Sequence, residues 1–71
     1  MFMNRKEVEK IKQMYPKGTK IELGYMDDFQ APPSGTVGEV THVDDIGQIH
    51  VIWENGSTLA LNTDVDSFHK I

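Results

Sequence analysis

The amino-acid sequence predicts a mostly β domain in which one N-terminal helix precedes four or five short antiparallel strands. Three observations carry this reading. Three runs rich in Val, Ile, Thr and Trp recur between Gly35 and Leu61, Asp-Asp-Ile-Gly and Asn-Gly turns separate them, and helix-forming residues are concentrated before Pro16. With 71 residues there is room for one domain only, and a core this small supplies about 3 to 5 kcal/mol net, so each large apolar residue is a core candidate.

The helix is predicted over residues 4–14. Val8 and Ile11, with Met14 or Tyr15, recur at helical spacing, and charged side chains fill the other faces. Asn4 and Glu7 have capping-box spacing, and Pro16 and Gly18 stop the helix. A helix of about eleven residues is marginal alone, so its apolar stripe docks on its own sheet or on a second chain.

Residues 19–71 hold the strands. From Thr19 to Met26, Ile21, Leu23 and Tyr25 alternate with Lys20, Glu22 and Gly24, the period of a half-buried strand. The following stretch, Asp27 to Gly35, contains Pro32 and Pro33 and is too long for a tight turn. Phe29 within it either folds over one edge of the sheet or stands out as an anchor. Thr36 to Val43 has Val37, Val40 and Val43 at a spacing of three, which a bulge near Gly38 would reconcile with a strand. Gln48 to Trp53 alternates cleanly, with Ile49, Val51 and Trp53 on one face.

The register of the next hairpin follows from arithmetic. A two-residue loop at Asn55-Gly56 would put Leu59 and Leu61 on the wrong face. A three-residue loop, Glu54-Asn55-Gly56, places Trp53 beside Ser57, Val51 beside Leu59 and Ile49 beside Leu61, with Gly56 left-handed. Gly47 takes positive φ in the preceding turn. The tail begins with an Asn-Thr-Asp stretch suited to one helical turn and returns through Val65, Phe68 and Ile71, of which Phe68 and Ile71 close the core. This order of elements is that of a small SH3-like antiparallel barrel.

The composition restricts the chemistry. The chain has no cysteine, which removes disulfides and thiolate metal sites, and its net charge of -4 disfavours polyphosphate. Charged residues follow Met1-Phe2-Met3 at once, so no signal peptide or membrane span is expected there and a cytoplasmic location is. His42, His50 and His69 lack the i, i+4 or His-x-His spacing of metal ligands, although two can approach from neighbouring strands. Asp27-Asp28, Asp44-Asp45 and Asp64-x-Asp66 read as turn chemistry. Ser34, Ser57 and Ser67 have no histidine at a catalytic motif spacing, and no phosphate loop occurs. No metal, cofactor or enzymatic activity is expected. Trp53 reads as core; the alternative is an aromatic groove of Tyr15, Tyr25, Phe29 and Trp53. Arg5, Lys6, Lys10 and Lys12 read as a solvated helix face.

The run from Gly35 to Gly56 resembles the strand-turn-strand core of KOW, Tudor and Mib-Herc2 modules. From Tyr15 onward the chain is similar to a family of small bacterial proteins known as a domain of unknown function, often carried by phages and mobile elements. Tyr-Pro-Lys-Gly-Thr at 15–19, Met-Asp-Asp at 26–28, Ala-Pro-Pro at 31–33, Val-Asp-Asp-Ile-Gly-Gln-Ile-His-Val at 43–51 and Val-Asp-Ser-Phe at 65–68 carry the likeness. It implies a genomic setting and transfers no site residues. The expected function is a non-catalytic binding or regulatory module that docks a protein, with Phe29, Pro32, Pro33 and Tyr25 as candidate binding residues. The alternatives are a nucleic-acid-binding module using the helix cations and an acidic phage-type inhibitor.

Overall fold

The computed structural model describes residues 4–71. Residues 1–3, read above as excluding a signal peptide, lie outside the described residues. Helix α1 spans Arg5–Met14, and the strands are β1 (Lys20–Tyr25), β2 (Val37–Val43), β3 (Gln48–Trp53), β4 (Leu61–Asn62) and β5 (Ser67–Lys70). They form one antiparallel sheet in the order β4-β3-β2-β1-β5. Because β4 and β5 are its two edges, the sheet is not closed as the barrel expectation would have it.

Asn4 caps α1, its side-chain oxygen accepting from the Glu7 amide at 2.9 Å. Val8 is buried, Ile11 and Tyr15 pack against the core, and Met14 is exposed, so Tyr15 completes the apolar stripe. The stripe docks on the chain's own sheet, where α1 meets β2. Pro16 and Thr19 close the exit turn through the Thr19 amide on the Pro16 carbonyl at 3.1 Å.

One face of the sheet carries the core: Ile21, Leu23, Val40, Val43, Ile49, Val51, Trp53 and Leu61, joined by Met26. The hairpin after β3 has the expected three-residue turn. Trp53 and Ser57 are bonded across it at 2.9 Å, Ile49 pairs with Leu61, and Gly56 has φ +90. Gly47 also has positive φ. Between these points the ladder lapses, because the Trp53 indole Nε1–H donates to the Leu59 carbonyl at 2.9 Å. Leu59 is therefore turned towards the indole, Val51 gains no ladder partner there, and β4 is only two residues long.

Three expectations are corrected. The irregularity in β2 lies at Thr41, where Val40 pairs with Val51 but His42 pairs with His50. Gly38 instead stays in register opposite Trp53, since a Cβ there would sit 2.4 Å from Val51 Cγ1 and 2.7 Å from the indole. In β1 a second bulge at Gly24 turns Tyr25 outward and gives its inward place to Met26. At the tail, Phe68 packs on the core beside Tyr15, whereas Val65 and Ile71 are exposed. The polar stretch before β5 makes a single turn, with the Asp66 amide on the Asn62 carbonyl at 2.9 Å.

Three substitutions test this packing. Gly38→Ala is expected to lower stability by about 1 to 3 kcal/mol, because the added methyl must displace Val51 or the indole. Gly56→Val is expected to cost about 1 to 3 kcal/mol, while Gly56→Asn, whose side chain tolerates the left-handed region, is milder. Urea unfolding midpoints measure all three, and unchanged stability in Gly38→Ala would mean that the indole does not rest on β2.

Candidate functional site

The connection from β1 to β2 is long but firmly built. At its base the Gly35 amide donates to Leu23 at 2.7 Å, the Leu23 amide donates to Thr36 at 2.9 Å, and Thr36 Oγ1 donates to Pro33 at 2.6 Å. At its apex Asp28 folds a tight turn: its carbonyl accepts from the Ala31 amide at 2.9 Å and its carboxylate from the Gln30 amide at 2.8 Å. Ala31 packs on the core and Pro32 is buried, so the returning limb is anchored. Gln30 leans towards Ser57, Thr58 and Leu59, with which it lines a shallow cleft of about 230 Å³.

This construction leaves Phe29 at the apex with 97% of its surface exposed. Asp27 and Asp28 precede it, both exposed. Of the other predicted binding residues, Pro33 is exposed on the loop, Pro32 serves packing, and Tyr25 is 63% exposed on the outer face of β1, beside Ser67. The aromatic groove does not form. Tyr15 packs on Phe68 with ring centroids 5.6 Å apart, and Trp53 is buried in the core.

Sequence reasoning did not place a second cluster, in which the bulge at Thr41 brings His42 opposite His50. Their rings stack with centroids 4.3 Å apart and planes inclined by 6°. Asp44 Oδ2 lies 2.8 Å from His50 Nε2, which carries the proton because an ionised carboxylate only accepts. The other oxygen of Asp44 accepts from the Gln48 amide at 2.9 Å and the Ile46 amide at 3.1 Å, making the β2–β3 turn. Parallel rings direct their lone pairs into separate planes and not at one ion. Among the described residues, no group of three His, Cys, Asp or Glu side chains has metal-holding geometry. Nor is there a nucleophile–base–carboxylate relay, since the Thr41 hydroxyl reaches His42 Nδ1 at 3.2 Å while the carboxylate holds the other ring.

Burial raises the Asp44 carboxyl, but its hydrogen bonds from His50, Gln48 and Ile46 and the His50 charge outweigh this and hold it below the ordinary value. Lys20, by hydrogen bond and by charge, likewise holds Glu39 low. Charge is segregated along the chain. Residues 5–20 have six cationic and two acidic side chains, net +4, and residues 21–71 have one lysine and nine acidic side chains, net -8. Arg5, Lys6 and Lys10 are exposed on the helix, and Lys12 is bonded to Asp45 at 3.1 Å.

A family model described as a domain of unknown function, DUF4314, matches residues 4–71, and the chain belongs to that family. No curated protein and no solved structure matches it.

The Asp44 network predicts an acid dependence. Its depressed carboxyl contributes stability that is present above the ordinary value of 3.8 and is lost as pH falls through the lower folded value. Asp44→Asn keeps an acceptor for the turn but removes the titration. Unfolding free energies measured down to about pH 2.5 are expected to fall less steeply in this variant than in the wild type, and parallel curves would contradict the assignment.

Proposed function

We propose that this DUF4314 domain is a non-catalytic binding module that docks a protein partner through the loop between β1 and β2. One observation carries the reading: Phe29 is almost fully exposed on a turn whose backbone is pinned on both limbs. Because the backbone beneath the ring is already ordered, less conformational freedom is lost when the ring enters a pocket, and aromatic anchors of this kind dominate interface energetics. Asp27 and Asp28 beside it fit a partner whose pocket is apolar and rimmed by lysine or arginine. Pro33 extends the same exposed surface, and Tyr25 offers a second ring from the strand. The module acts in the cytoplasm on this reading.

The nucleic-acid alternative rests on the KOW and Tudor resemblance and on the exposed helix cations. The net -8 over residues 21–71 opposes a phosphate backbone, and the exposed loop that carries Phe29 is acidic.

Affinity capture from a source lysate with the wild type, Phe29→Ala and Asp27→Lys separates these possibilities. A protein retained by the wild type is expected to be lost with Phe29→Ala and weakened with Asp27→Lys, while the melting transition of Phe29→Ala stays within about 0.5 kcal/mol of the wild type. Equal recovery of every protein by all three would remove the loop from the function.

A further inference from the structure

The sheet face opposite the core holds an arrangement that the loop does not use. Ile52 on β3 pairs with Glu39 on β2, and Glu39 pairs with Lys20 on β1. The Lys20 backbone carbonyl in turn accepts from the Ile71 amide at 3.2 Å. One row across the sheet therefore reads Ile52, Glu39, Lys20 and, just past the end of β5, Ile71. The two isoleucines are 56% and 66% exposed, and Lys20 Nζ is 2.8 Å from Glu39 Oε1. These residues, with Val37 and Thr41, line an open trough of about 500 Å³.

We propose that this face is the contact between two copies of the chain. The pattern apolar, acidic, basic, apolar is complementary to its own reverse. A two-fold axis parallel to the strands and between β1 and β2 sets Glu39 against the Lys20 of a second copy and Ile52 against its Ile71. The central charges then form an alternating quartet, and the isoleucines cover its flanks. A second copy meets every element of the row at once, because an isologous interface demands self-complementarity and nothing else. The net charge of -4 would keep copies apart elsewhere on the surface, and in this row Lys20 offsets Glu39, with Glu54 also lining the trough.

Sedimentation equilibrium of the whole chain, at concentrations up to about 1 mM, reads the result. The wild type is expected to reach twice its monomer mass of 8.1 kDa. Lys20→Glu and Glu39→Lys each place like charges in opposition and should weaken association about tenfold or more, whereas Lys20→Glu combined with Glu39→Lys restores it. Ile52→Asp should give monomer. Circular dichroism confirms that each variant is folded, as expected for exposed positions. A wild type that remains at the monomer mass throughout overturns the proposal, as does a dimer indifferent to all of these substitutions.

Discussion

The packing of the Trp53 indole over Gly38 is the constraint on which the rest of the structure depends. The ring lies over the neighbouring strand at Gly38, where a Cβ would come within 2.7 Å of it, and the absence of a side chain there supplies the space. With the ring seated there, Val40 and Val51 pair behind it, and Val43 and Ile49 pair behind them. The indole N–H must also find an acceptor once buried, and it takes the Leu59 carbonyl. That bond draws the segment after the hairpin across the core at the expense of its strand pairing. In a chain that buries little surface, satisfying one large residue outweighs several ladder hydrogen bonds.

Much of this was legible in the sequence because it rests on local chemistry. The cap at Asn4, the alternation of Gln48 to Trp53 and the three-residue turn at Gly56 each follow from a few neighbouring residues. The bulges were not legible in the same way. Three valines at a spacing of three show that an extra residue exists, but either Gly38 or Thr41 could supply it. The choice depends on Trp53, which lies on another strand. His42 follows from that choice: without the bulge it would share the inward parity of Val40, and with it His42 turns outward onto His50. Tyr25 and Met26 exchange places for a similar reason, since the slip at Gly24 is fixed by Ser67, more than forty residues away. Ile71 was expected in the core by its hydrophobicity alone, yet its register places it beside Lys20 on the outer face, while Phe68 pairs with inward-facing Leu23.

The candidate site was legible as a composition and not as a geometry. An aromatic residue and two prolines in a long connection signal a loop with a use, but the prolines divide the work, Pro32 packing the returning limb and Pro33 facing water. Phe29 is displayed because the Asp28 turn leaves its side chain no core to enter. Three parts of the surface are then distinct in charge: cations on α1, the acidic aromatic tip of the loop, and the Lys20–Glu39 ion pair on the outer sheet. Fold and surface are thus separable, since the core uses the inward positions and leaves the outward ones free to vary.

The Trp53 indole N–H is the most direct probe of the central constraint. Its hydrogen exchange can be followed by NMR beside the backbone amides of β2 and β3. Exchange only through global unfolding, at the same free energy as the slowest backbone amides, is the expected result for an indole sealed between Gly38 and Leu59. Exchange about a hundredfold faster than those amides would show a ring that opens without unfolding the domain, and would contradict its place at the centre of the fold.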